Sequence, residues 1–177
     1  MASSESLTSS LAALAMLLPA PALAASGVAA AGKAAASGHS LLQSRELWAT
    51  IDVCDAPDQP NFVGIRGSMP GDGRAKDKMF MRFRLQYMNA RTKGWVDLAN
   101  AASGFLFAGS AKSTRQDGLS FKLTPSKPAF TLRGVVSFQW RRGANVVASV
   151  SRPTTAGRQS LAGADPAGFS AATCLTG

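Results

Sequence analysis

The sequence is poor in the side chains that usually perform chemistry. Of its 177 residues one is a histidine, His39, and it lies in a stretch that is nearly all Ala, Gly and Ser. A catalytic triad or a metal-bound water needs an imidazole held against fixed partners, which such a stretch does not supply, so histidine-based catalysis is argued against. Glutamate is almost as scarce. Beyond residue 25 only Glu46 occurs, so a carboxylate pair for glycoside hydrolysis would have to come from Asp52, Asp55, Asp58, Asp72, Asp77, Asp97, Asp117 or Asp165. Nearly all of these stand in turn-like contexts. Neither "DVCDAPD" nor "PGDGRAKD" has the alternate-ligand spacing and closing glutamate of an EF-hand, and aspartate beside Gly or Pro is turn chemistry. Two cysteines without histidine partners cannot complete a zinc site, and "GSMPGDG" is a turn and not a phosphate cradle. No catalytic residue, metal or cofactor is assigned, and an enzyme that needs no histidine is the weakest of the functional readings.

Positive charge, by contrast, is abundant. Nineteen Lys and Arg against ten Asp and Glu give a formal net charge of +9, and removal of the first 25 residues, which hold Glu5 and no basic side chain, raises it to +10. That balance favours anionic partners such as nucleic acid, acidic cell-envelope polymers or lipid headgroups.

Residues 1–25 carry an apolar run over 11–18, prolines at 19 and 21, and then Ala22-Leu23-Ala24, the small-x-small pattern of a signal-peptidase site. They are read as a signal peptide cleaved after Ala24 or Ala25, although the opening "MASSES" lacks the usual positive charge. The apolar run is too short to cross a bilayer and the prolines would break it, so no transmembrane span is expected after processing. Residues 26–40 are read as a flexible Ala/Gly/Ser tether. Residues 41–177 are left for one domain with a C-terminal tail.

Within that domain the hydrophobic period becomes two. "LWATIDVC" sets Leu47, Ala49, Ile51 and Val53 on one face, and "MFMRFRLQYM" alternates Met79, Met81, Phe83, Leu85 and Tyr87 against Arg82, Arg84 and Gln86. "LSFKL" alternates Leu119, Phe121 and Leu123, and "FTLRGVVSFQW" groups Phe130, Leu132, Val136, Phe138 and Trp140. The expected strands are 47–54, 62–68, 79–88, one or two short ones over 95–107, then 119–123, 130–141 and 145–152. "SFQWRRGANVVASV" then describes a hairpin: Phe138 and Trp140 belong to the core, and Arg141 and Arg142 stand at a strand end beside a glycine-containing turn. Replacing both arginines by glutamate is expected to leave the fold intact. Rings aimed at the core cannot serve as stacking platforms for single-stranded nucleic acid, so nucleic acid is set aside as a partner.

Seven or eight short strands separated by Gly, Pro and Asp predict an all-β fold, an immunoglobulin-like antiparallel β-sandwich with Greek-key connections. The succession "VCDAP", "VGIRGSMPGDG", "MFMRFRLQY", "LSFKL", "FTLRGVVSFQWRRGANVV" and "TC" resembles small secreted immunoglobulin-like or fibronectin-type-III-like domains of high-GC Gram-positive bacteria over residues 47–174. The resemblance implies fold and an extracellular or envelope location, and it carries over no catalytic residue.

In an exported chain the two cysteines, Cys54 and Cys174, read as one disulfide, the alternative being two reduced thiols. The chain leaving the last strand would start near Cys54, which agrees with a bridge. The assumed topology also gathers Arg74, Lys76, Lys78, Lys112, Arg115, Arg141 and Arg142 on loops at one end of the sandwich, and sets Arg82, Arg84, Arg133 and Gln139 as a stripe on an outer sheet face. The seven cations are the candidate anion-binding residues; the bland alternative is that they only keep the domain soluble. Two functions follow: a secreted or envelope module contacting anionic polymer, or an adhesion module recognising protein or carbohydrate, with Trp95 and "ANAASG" as contacts.

Overall fold

A computed structural model describes residues 37–125, 127–158 and 163–176. The signal peptide and residues 26–36 of the tether lie outside the described residues. Among the described residues there are nine strands and one turn of helix: α1 (Gly38–Leu42), β1 (Trp48–Ala56), β2 (Gln59–Met69), β3 (Arg74–Met88), β4 (Trp95–Ala102), β5 (Leu106–Ala111), β6 (Arg115–Lys122), β7 (Phe130–Arg142), β8 (Asn145–Pro153) and β9 (Cys174–Thr176). Ser37–Ser40, assigned above to the tether, form the N-cap and first turn of α1, whose Leu41 is buried in the core.

Two antiparallel sheets face each other. One has the order β1-β2-β6; the other runs β4-β3-β7-β8, with β5 continuing the β4 edge along β3 and β9 continuing the β8 edge along β7. The chain crosses between sheets after β2, β5 and β6, which gives the expected Greek-key arrangement of an immunoglobulin-like sandwich. The strand beyond the expected eight is β9, three residues that pair with the stretch of β7 left free where β8 ends.

The core follows the period read from the sequence. Met79, Met81, Phe83 and Leu85 from β3 and Leu132, Val136, Phe138 and Trp140 from β7 are fully buried against Ile51, Val63, Ile65 and Met69 of the other sheet. Gly134 keeps the sheets close at the centre: a Cβ there would lie 2.9 Å from Ile65 Cδ1 and 2.7 Å from Thr154 Cγ2. The Arg142–Asn145 hairpin turns through Gly143 and Ala144, with Gly143 at φ 58°, a conformation that favours glycine.

One strand departs from simple alternation. Residues 49–53 of β1 are buried on both faces, polar Thr50 and Asp52 included, because the tail after β8 folds back along this edge. Thr155 N–H donates to the Ala49 carbonyl, Ala171 and Ile51 exchange two backbone bonds, and Asp165 N–H reaches the Asp52 carbonyl. The tail ends at the Cys54–Cys174 disulfide, with Cα atoms 5.5 Å apart. The same segment thus covers the outer edge of one sheet and extends an edge of the other. Among the described residues no helix is long and apolar enough to cross a membrane.

Candidate functional site

The strand register brings the seven candidate cations to one end. Arg74 pairs with Ala111, Lys78 pairs with Ser110 on one side and Arg141 on the other, and Met69 pairs with Arg115 from the opposite sheet. Lys112 follows directly on β5. Only Lys112 lies in a connection; Arg74, Lys76 and Lys78 open β3, Arg115 opens β6, and Arg141 and Arg142 close β7. The loops expected to carry them are shorter than the sequence suggested, since β2 and β3 are joined by residues 70–73 and β7 and β8 by two residues. Five of the seven backbones, all but those of Lys76 and Lys112, are therefore fixed by strand pairing, and less ordering entropy remains to oppose binding.

Aromatic rings support two of these cations from the outer face. The Arg141 guanidinium lies 4.1 Å from the Phe80 ring centroid and 5.2 Å from that of Phe105, and its Nε and Nη2 donate to Gln139 Oε1 at 2.9 and 2.6 Å. Lys78 Nζ stands 5.9 Å from the ring of Phe107, which is 59 % exposed. Cation–π contacts of this kind hold the charge at the surface without neutralising it.

Arg142 is different. Its Nη2 donates to Asp77 Oδ2 at 2.8 Å and its Nε to both carboxylate oxygens at 3.1 and 3.2 Å, while Asp77 is only 2 % exposed. Asp72, 3 % exposed, sits beside Asp77 and accepts the Arg74 amide at 2.8 Å. The Arg142 hydrogen bonds hold the Asp77 carboxyl below its ordinary range, and the same contact raises Arg142. Burial first, and then the neighbouring Asp77, push Asp72 up. Asp72 does perform the expected turn chemistry, but Asp77 is an inward-facing anchor. Its signal was in the sequence: two residues before Met79, period two places it on the core side of β3.

Neither terminal arginine is in the core, as expected, but the Asp77 contact gives the two different expected costs of reversal. Arg142→Glu would set a third carboxylate against two buried ones, so its melting temperature should fall well below wild type, with Arg141→Glu close to wild type in thermal unfolding. The pH dependence has a defined sign. Because Asp77 is depressed in the folded state, its contribution is complete above the ordinary aspartate range, about 3.9, and is lost as pH falls through its folded value. Asp72, being raised, works oppositely: the cost of its buried charge is relieved as pH falls through its folded value. Asp77→Asn should be less stable than wild type at neutral pH, and the gap should narrow by about pH 2 in denaturant titrations.

The outer-face stripe is largely committed to internal contacts. Arg84 pairs with Asp97 at 3.1 Å, Arg133 donates to Gln86 Oε1 and lies 4.4 Å from the Trp95 ring, and Arg82 donates to the Ser103 carbonyl. Trp95 is thereby occupied by Arg133, and within "ANAASG" Ala101 is buried and Ser103 bonds the Phe83 backbone. Among the described residues the ion pairs are Arg66–Asp52, Arg84–Asp97 and Arg142–Asp77. Arg74, Lys76, Lys78, Lys112, Arg115 and Arg141 consequently have no carboxylate within 4.0 Å among the described residues. No group of three potential metal ligands occurs among the described residues.

No protein-family model matches the chain, and no curated protein or solved structure matches it significantly.

Proposed function

We propose that this chain is a non-catalytic, exported β-sandwich module that contacts anionic cell-envelope polymer through the basic end. The observation that carries this reading is the six cations without a carboxylate partner among the described residues, five on strand ends and Lys112 in the connection after β5, at one pole of the fold. Of the acids at this end, Asp72 and Asp77 are buried and serve Arg142 and the backbone, and exposed Glu46, which accepts the Thr114 hydroxyl at 2.6 Å, is outnumbered by the cations around it. The disulfide supports export, because such bonds persist in oxidising compartments. Binding by such a surface is a sum of solvent-screened attractions, so it gives salt-sensitive retention on a repeating polyanion in preference to tight recognition of one small ligand.

A second reading, recognition of a protein or carbohydrate, is favoured by exposed Phe107 and Leu106 on β5. It differs in its response to salt. The test is retention on isolated envelope of wild type and of a variant with Arg74, Lys76, Lys112 and Arg115 all changed to Glu, which spares the Arg142–Asp77 anchor. Wild type should be retained at about 0.1 M salt and released near 1 M, where the Debye length falls to about 3 Å, and the variant should not be retained at either. Retention of the variant equal to wild type at low salt removes the basic end from the mechanism. Salt-insensitive retention lost on Phe107→Ser transfers the function to the second reading.

A further inference from the structure

The other end of the sandwich carries a second feature, independent of the basic end. Where β3 finishes and β7 begins, a cavity of about 760 Å³ opens between the β3–β4 turn and residues 127–131. Its floor is Tyr87, Leu98 and Phe130, half-buried side chains that pack on the core. A second hollow of about 340 Å³ shares Leu98 and Phe130 and continues between β4 and β6 past Phe121 and Leu123. Each volume falls in the range of about 300 to 1,000 Å³ typical of small-molecule sites. Both are lined by Leu98 and Phe130, so a run of apolar side chains extends from one to the other, which suits one unbranched chain better than a compact ring system.

The mouth is charged with one sign only. Arg91, Lys93 and Lys127 line it, all exposed, and no Asp or Glu is among the lining residues. None of the three belongs to an ion pair among the described residues. The backbone of the turn offers little besides. Asn89 Oδ1 accepts the amides of Arg91 and Thr92, Lys93 N–H donates to the Asn89 carbonyl, and Asn89 N–H donates to Gly94. An extended peptide would need main-chain partners here, whereas an acyl chain needs none. Charged recognition is left to three cationic heads at the mouth, with a fourth cation, Lys122, lining the second hollow.

We infer that this groove binds a free single-chain amphiphile with an anionic head, a long-chain carboxylate. The chain lies over Tyr87, Leu98 and Phe130, and the carboxylate meets Arg91, Lys93 and Lys127. Charge complementarity selects the head and burial of methylenes supplies the affinity.

The full-length oxidised protein is titrated calorimetrically with monomeric dodecanoate and, for the same chain with the opposite head, dodecyltrimethylammonium. Saturable one-to-one binding of dodecanoate, at least about tenfold tighter than the ammonium, is expected. Lys93→Glu with Lys127→Glu should weaken dodecanoate about tenfold or more and reduce the discrimination; both positions are exposed, so this variant keeps its fold. Leu98→Gln should weaken both amphiphiles. Equal binding of the two heads, or dodecanoate binding untouched by the double charge reversal, overturns the inference. So does binding to phosphatidylglycerol vesicles with none to monomeric dodecanoate, which would make the surface a membrane contact. Loss of dodecanoate binding in the Arg74, Lys76, Lys112 and Arg115 variant with the groove residues intact would overturn it too, assigning the effect to the other end.

Discussion

Replacing both cysteines, Cys54→Ser with Cys174→Ser, should lower the unfolding free energy by about 5 kcal/mol, the loss expected on opening a loop of this length. The bond joins residues 120 apart, so its removal returns a large conformational freedom to the unfolded chain. The native state also loses something specific. β9 has three residues, too few to hold their place by pairing alone, and the tail that leads to it covers the β1 edge through the Ala49, Ile51 and Asp52 backbone. Equilibrium unfolding in guanidinium gives the total. Hydrogen exchange locates the loss, and the Ile51 and Ala171 amides should lose protection before those of β3 and β7. A change below about 1 kcal/mol would mean that packing of the tail, and not the bridge, fixes that edge.

Trp140→Ala should cost about 3 to 5 kcal/mol, the usual range for truncating a large buried aromatic. Trp140 is fully buried, and its indole N–H donates to the Pro70 carbonyl at 2.8 Å, tying β7 to the connection that launches β3. Trp140→Phe separates the two contributions. It keeps much of the ring volume and leaves the carbonyl without its donor, so a smaller loss of about 1 to 3 kcal/mol is expected. Both are read from chemical denaturation. Near-neutral behaviour of the alanine variant would place the ring outside the core and reverse the register of the hairpin.

The central strands were legible in the sequence because their alternation is local. Met79 to Leu85 and Leu132 to Trp140 state which side faces inward without reference to any other part of the chain, and the Gly143 turn follows from residue type. The cysteine pair followed from its even count in a chain read as exported. What was not legible depends on partners far away in sequence. Thr50 and Asp52 look solvent-facing by alternation, and they are buried because residues 154–158 and 163–171, which have no period of their own, return to cover them. β9 is a strand only through its pairing with Phe130, Thr131 and Leu132.

At the basic end the grouping of seven cations was legible, and their division of labour was not. Arg141 and Arg142 are adjacent and chemically alike. One is stacked on Phe80 and Phe105 at the surface, the other is spent on Asp77, and the difference arises from cross-strand register. Phe80 and Phe107 were passed over as well, although period two already placed Phe80 beside Arg82 on the outer face.

Amide-shift mapping is the most direct test of the basic end. The isotope-labelled protein is titrated with a soluble linear polyphosphate at about 0.1 M and then about 1 M salt, concentrations between which the Debye length falls from about 10 to 3 Å. The proposed function requires the largest shifts at Arg74–Lys78, Lys112–Arg115 and Arg141, with smaller ones at Asn89–Lys93, and their collapse at the higher salt. Shifts no larger at Arg74–Lys78 than at Asn89–Lys93, or shifts that persist unchanged near 1 M salt, would contradict it.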